Sequence, residues 1–316
     1  MSDESFDVIT MGRVGVDFYP TTHGSIVEVE HFQKFLGGSP TNVAVAAARL
    51  GHRSAVITRT GADELGRFVH VALNRYGVDD RYVSSVEGSL TPVTFCETHP
   101  PDHFPIYFYR EPKAPDLDIE VEDLDTAAIR DARLFWATLS GLSVEPSRTA
   151  TFAALASRER RHPTVLDLDY RPMFWASRDA AREAALGALS SVTVAVGNLD
   201  EVEVAVGTRT PDEAAEALLE RGVELAVIKM GPRGVVGRSI NERVEAPPVE
   251  VPVVNGLGAG DAFGGALCHG LLEGWPLSET LRFANAAGAI VASRLACSEA
   301  MPREKEVRTL LERGHL

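Results

Sequence analysis

From about Asp131 onward the chain repeats one pattern, a short apolar run followed by a longer segment with apolar residues at three- and four-residue spacing. The runs Leu134–Thr138, Thr164–Asp169, Val192–Val196 and Leu225–Met230 read as strands, and the segments between them as helices. Strands joined through helices run parallel, so the alternation predicts an α/β fold with a mainly parallel central sheet. Earlier residues add a strand at Phe6–Met11, a solvent-facing hairpin around Ile26–Phe32, and a helix opened by Ser39-Pro40 and stopped at Gly51. Ser54–Thr60 reads as a strand, and Asp63–Tyr76 as a helix closed by Gly77. Thr91–Glu97 and Phe104–Tyr109 read as paired strands, and Gly234–Ser239 with Glu242–Ala246 as a hairpin at one edge of the sheet. The C-terminal third is helical, at Asp261–Glu273, Ser278–Arg294 and Arg303–Glu312. With no internal repeat or long linker, the 316 residues are expected to form one continuous unit.

Composition excludes several classes of function. Thirty-one basic against 45 acidic residues give a formal charge of −14, with no basic cluster, which argues against nucleic-acid binding. No apolar run approaches the roughly 20 residues of a membrane span, and the acidic start MSDESFDVIT is unlike a signal peptide. Cys96, Cys268 and Cys297 lie far apart and match no metal-ligand spacing, so they are expected to be reduced, as in a cytoplasmic protein. The nine histidines form no HExxH-like pair.

The stretch Val253-Val-Asn-Gly-Leu-Gly-Ala-Gly-Asp-Ala-Phe263 carries the strongest local chemistry. Val249, Val251 and Val253 alternate as in a strand, glycines follow, and a helix begins at about Asp261. Glycine lets backbone amides approach a ligand, and a helix start offers unpaired N–H groups with partial positive charge. Such a place suits a phosphate. Asp261 stands at its mouth, either as a reacting acid or as an ordinary N-cap. Glycines at 12–15, 37–38 and 256–260 all follow apparent strands, so they are expected to converge on one cleft beyond the carboxyl ends of the sheet. Neither a GxxxxGK[ST] P-loop nor an early GxGxxG fingerprint is present.

Gly258-Ala-Gly-Asp261 before an apolar helix resembles the signature of the ribokinase-like (PfkB) carbohydrate kinases, and Gly37-Gly38 with Asn42 resembles that family's other signature. Asn198-Leu-Asp-Glu201 is similar to its NxxE motif, and Lys229-Met-Gly-Pro-Arg-Gly234 to its nucleotide-side strand and turn. The four motifs occur in the family's order over nearly the whole chain.

The resemblance implies a three-layer αβα sandwich with a small β-strand lid, formed by about residues 13–36 and 91–111. It implies ATP and Mg²⁺, and a monovalent cation such as K⁺. Asp261 takes the role of general base, and the amides of Gly258, Ala259 and Gly260 that of an anion hole. Asn198 and, through water, Glu201 are assigned to Mg²⁺ near the ATP phosphates, while Lys229, Gly231, Gly234 and Asn285 fall on the nucleotide side. Alone, Asn198 and Glu201 would read as a capping Asn and a surface Glu. Asn255-Gly256 departs from the family's usual Asp-Thr and removes an acidic group.

Substrate-side residues by resemblance are Asp17, Gly37, Gly38 and Asn42, whose carboxylate and amide suit polyol hydroxyls. Arg110, on the expected lid, and Arg171, after Asp167-Leu-Asp-Tyr at a strand end, point to a substrate carboxylate, because guanidinium binds carboxylates bidentately. The alternative for each is a salt bridge, to Glu111 and to Asp169 respectively. A sugar acid is therefore the expected acceptor. The exposed lid could pair edge to edge with another subunit to make a homodimer.

Overall fold

The computed structural model describes residues 5–315, so the first four residues of the acidic start lie outside it. Strands β1 (Val8–Met11), β2 (Gly15–Pro20) and β3 (Phe32–Gly37) lead into helix α1 (Ser39–Arg49). β4 (Ser54–Gly61), α2 (Glu64–Tyr76), β5 (Val78–Asp79), β6 (Val83–Val86), β7 (Val93–Cys96) and β8 (Ile106–Tyr109) follow. The alternating stretch comprises α3 (Thr126–Asp131), β9 (Leu134–Thr138), α4 (Ser147–Ser157), β10 (Thr164–Asp167), α5 (Arg178–Leu189), β11 (Val194–Asn198), α6 (Leu199–Val206), α7 (Pro211–Glu220) and β12 (Leu225–Lys229). The hairpin β13 (Val235–Ser239) and β14 (Arg243–Ala246) precedes α8 (Ala259–Leu272), α9 (Leu277–Ala292) and α10 (Glu304–Arg313).

The central sheet has the order β14-β13-β12-β11-β10-β9-β1-β4-β5, with β6 also pairing β4. Its pairings are parallel except β12–β13 and β13–β14. Alternation within each strand divides the core in two. In β9, Phe135 and Ala137 point to one apolar layer with Ile9, Leu166, Ala195 and Ile228, beneath α4, α5 and α7. Leu134 and Trp136 point to the other layer with Val8, Val165 and Val227, beneath α1, α8 and α9. Two helix layers around one sheet make the αβα sandwich, and both faces of the sheet are dry, as a parallel sheet requires. A separate sheet, β3-β2-β7-β8, stands apart from it.

Two local expectations need correction. Residues 26–28 form a turn and 29–31 are irregular, so this stretch is the connection of an antiparallel pair and carries no strands of its own; the strand that pairs with β2 is β3, starting at Phe32. Residues 249–253 are not a strand, although their valines alternate. Pro247, Pro248 and Pro252 lack the N–H that a ladder needs. The segment instead runs along α9, where Asn285 Nδ2 donates to the carbonyls of Ala246 (3.2 Å) and Pro247 (2.8 Å), and the Val254 and Asn255 amides donate to Ala292 O. The helix start at 259 is thus reached from a loop.

Candidate active site

After β1 the chain supplies β4 on one side, and later β9 on the other. A parallel sheet opens a crevice where the strand order reverses in this way. Arg13 follows β1, Ser140 follows β9, Asp169 and Arg171 follow β10, and Asn198 and Lys229 end β11 and β12. Arg13, Asp169, Arg171, Asn198 and Lys229, with the N-termini of α1 and α8 and the inner face of the small sheet, enclose a cavity of about 290 Å³. A neighbouring groove of about 700 Å³ is lined by Gly231, Gly234, Val249, Ala259, Asn285 and Gly288, among others. Lys229, Gly256 and Gly260 border both spaces, so the two meet at the start of α8.

Asp261 is not the cap of α8. That position belongs to Gly258, in the left-handed region at φ 80°, with no side-chain cap. The first helical bond runs from the Ala262 amide to Gly258 O at 2.9 Å, which leaves the amides of Ala259, Gly260 and Asp261 without partners inside the helix. A Cβ at Gly258 would stand 2.6 Å from Cys297 Sγ, so both conformation and space demand glycine there. Asp261 turns toward the 290 Å³ cavity, accepting from Ser39 Oγ (2.8 Å) and Asn42 Nδ2 (2.7 Å). Asn42 Oδ1 in turn accepts from Ser298 Oγ at 2.5 Å. Burial raises the pKa of Asp261, and the two donors oppose that rise. Ser39, a residue type suited to capping α1, is instead the first residue of that helix, capped by Gly38, and its hydroxyl serves Asp261.

Asp17, on β2, also faces the cavity. Burial, with the nearby Asp261 charge, pushes its pKa up to about 7 against hydrogen bonds from Thr94 and Tyr19. Gly37 does not line the cavity but lies behind Asp17, where a Cβ would come within 2.2 Å of the carboxylate. Gly38 lets α1 pass 2.4 Å, measured from its missing Cβ, from Arg13 O.

Both predicted arginines enter the cavity, each already partnered by an acid. Arg171 lies 2.9 Å from Asp169 Oδ1 and 3.7 Å from Glu201 Oε1. Arg110 pairs with buried Asp116, not with Glu111, and its Nε is buried without a partner among the described residues. A third guanidinium escaped the sequence reading: Arg13 pairs with Asp169, donates to Ser140 Oγ (3.0 Å) and lies over Phe174 (5.4 Å). Burial alone would raise Asp169, but Arg13 and Arg171 hold it well below the carboxylate range. Asp167 was also missed; burial raises its pKa, and its Oδ1 has no hydrogen-bond partner among the described residues. Lys229 Nζ lies 4.0 Å from that Oδ1; burial disfavours the ammonium, but Asp167 and Glu201 outweigh it and raise its pKa. The signal for these residues was their place at the end of a strand.

Asn198 and Glu201 form a reciprocal cap on α6: Asn198 Oδ1 accepts from the Asp200 and Glu201 amides, and Glu201 Oε2 from the Asn198 amide at 2.7 Å. The capping reading of Asn198 therefore holds, while Glu201 is buried and borders the cavity rather than facing solvent. Asn255 is fully buried; its Nδ2 donates to Leu295 O (2.7 Å) and its Oδ1 accepts from the Leu257 amide (3.1 Å). A carboxylate could not make the first of these bonds. The departure at Asn255 has a structural reason: the amide ties the phosphate-loop candidate to the end of α9.

The model of the pfkB family carbohydrate kinases matches residues 5–304. The 5-dehydro-2-deoxygluconokinase of Shouchella clausii is 31% identical over 319 residues, covering 99% of this chain and 98% of that protein. The protein of the same description from Geobacillus kaustophilus is 33% identical over 315 residues, covering 97% and 93%. Among solved structures, a putative Ribokinase II from E. coli in complex with ATP and Mg²⁺ superposes with a TM-score of 0.88 at 24% identity, over 98% of this chain and 99% of that one. Fructokinase from Vibrio cholerae, with fructose, ADP and calcium bound, gives 0.84 at 25% identity, over 98% and 100%. The chain belongs to the pfkB family of carbohydrate kinases and is a sugar kinase.

Proposed function

We propose that the chain transfers the γ-phosphoryl group of ATP to the terminal hydroxyl of a sugar acid, 5-dehydro-2-deoxy-D-gluconate foremost. The carrying observation is a buried carboxylate, Asp261, held by Ser39 and Asn42 beside three unpartnered amides, in a cavity that Arg110 and Arg171 also enter. The relatives described as 5-dehydro-2-deoxygluconokinase support the same substrate. The stretches 12–20, 37–44 and 255–263 resemble that enzyme most within the family.

Asp17 and Asn42 orient the sugar hydroxyls, and Asp261 accepts the proton of the terminal hydroxyl as it attacks. The amides of Ala259, Gly260 and Asp261, with Lys229 nearby, stabilise charge on the transferring group. The resemblance assigns the amides of Gly258, Ala259 and Gly260 to the anion hole; here the Asp261 amide takes the place of Gly258, which supplies the left-handed turn that exposes the three. ATP lies along the groove beside Gly231, Gly234 and Asn285. Glu201 and the unpartnered Asp167 Oδ1 are the acids that fit Mg²⁺ through water, with Asn198 holding Glu201 in place. The metal, when bound, neutralises phosphate charge. Arg110 and Arg171 read the substrate carboxylate, and the sheet β3-β2-β7-β8 serves as the lid.

The same two arginines resemble those of 2-keto-3-deoxygluconate kinase, which makes its substrate the second reading. ADP release measured over both sugar acids and over ribose and fructose decides among them. Fastest release with 5-dehydro-2-deoxy-D-gluconate is expected. Preference for a neutral sugar would overturn the carboxylate reading, and no ADP with any acceptor would make the chain a non-catalytic sugar or nucleotide sensor.

A further inference from the structure

The helices that carry Asp261 and its two donors start side by side at the cavity, pack through Gly265 against Ala46, and approach each other again at their far ends. There His52, just beyond α1, and His269, in the last turn of α8, bring Nε2 of the first to 2.7 Å from Nδ1 of the second. Both rings are buried. Glu273 follows His269 by one helical turn and is exposed. One ligand atom from each of His52, His269 and Glu273 lies within 4.8 Å of the other two.

The neighbours indicate how the protons are arranged. His52 Nδ1 faces Asp7 Oδ2 at 4.0 Å, which favours the proton on that nitrogen. His52 Nε2 is then an acceptor, and His269 donates to it from Nδ1. A neutral imidazole has one N–H, so His269 Nε2 carries a lone pair. That atom is buried and has no hydrogen-bond partner among the described residues. Trp275 meets the His269 ring edge-on at 4.8 Å, and Phe283 lies against it at 5.5 Å.

We propose that His52, His269 and Glu273 form a binding site for a divalent transition-metal ion, zinc foremost, at the end of the α1–α8 pair remote from the phosphate-binding cavity. Two imidazoles and one carboxylate suit zinc and are poor ligands for Mg²⁺ or Ca²⁺, which take oxygen. Three protein ligands leave one tetrahedral position to water. Ligand atoms on one zinc stand about 3.3 Å apart, a spacing that exposed Glu273 can approach by changing rotamer. Each imidazole keeps one proton, His52 on Nδ1 and His269 on the nitrogen that does not coordinate. Binding therefore replaces the hydrogen bond between the rings with two bonds to the metal. Along α8 the site is roughly 12 Å from Asp261, so it is distinct from any Mg²⁺ at the nucleotide.

The test is a titration of the full chain with Zn²⁺ against a chromophoric chelator, without ATP or Mg²⁺, together with a melting curve. One equivalent binding in about the micromolar range and a Tm rise of a few degrees are expected. Cobalt at the same site should give visible absorption. Glu273→Gln, at an exposed position, should weaken zinc binding by about tenfold or more while leaving the metal-free Tm unchanged. His52→Gln gives a second arm, with the expected loss read against its own metal-free Tm. Absence of saturable binding below about 1 mM, or binding that both variants leave unchanged, would overturn the assignment.

Discussion

As the proposed base, Asp261 has to be buried enough to exclude water and ionised enough to accept a proton. Burial pushes its pKa upward, and Ser39 and Asn42 push back by hydrogen-bonding the charged form. Asp261→Asn should therefore lower kcat by about 10²–10⁴-fold with little change in the Kd for ATP or sugar, read by single-turnover kinetics and calorimetry. Because the base works ionised, activity should fall on acidification through a pKa above the ordinary carboxylate value. Ser39→Ala removes a donor that lowers that pKa, so the acidic limb of the pH profile should move to higher pH. An unmoved limb would assign it to another group. Asp17 gives the opposite lesson in stability. Its folded pKa of about 7 lies above the ordinary 3.8, so its contribution is full below about pH 4 and is lost as pH rises to 7. Asp17→Asn should accordingly melt higher than the unaltered chain at pH 8 while binding sugar more weakly. At position 255, Asn→Asp should cost about 1–3 kcal/mol in denaturant unfolding, since a carboxylate would face Leu295 O at the place of a donated hydrogen bond.

At the scale of elements, the pair α1–α8 is the mechanical part of the site. Gly265 lets α8 approach α1 so closely that an added Cβ would stand 2.2 Å from Ala46 Cβ. Gly265→Ala should push the helices apart, with about 1–3 kcal/mol lost in unfolding and a fall in kcat as Asp261 is displaced from Asn42. Normal turnover with lowered stability would mean that the Asp261 cradle is set locally instead. Helices such as α1 and α2 were readable because apolar spacing, Pro40 and the Gly77 stop are local signals. The false strand at 249–253 shares its alternation with true strands, and differs only in lacking donors and a neighbour. Pairing is a non-local fact, so periodicity alone could not deny it.

At the scale of the molecule, the proposed reaction asks a chain with formal charge −14 to bind two anions, ATP and a sugar acid. Its field opposes them, and the remedy is local: Arg13, Arg110, Arg171 and Lys229 converge from four separate parts of the chain on one cavity. Arg171→Ala should weaken acidic sugars far more than neutral ones, seen as kcat/KM ratios over a substrate panel. Equal losses would make Arg171 a structural partner of Asp169 and Glu201. The layered α/β architecture and the glycine turn before α8 were legible in the sequence, because strand length, helical period and glycine spacing are imposed residue by residue along the chain. Ser39 as a donor to Asp261, Arg13 beside Asp169, Asp116 as the partner of Arg110, and Asn255 as a tie to Leu295 were decided only in three dimensions. Each joins segments that are distant in sequence or turned by a loop, and burial and hydrogen bonding take their meaning from whatever the fold places opposite.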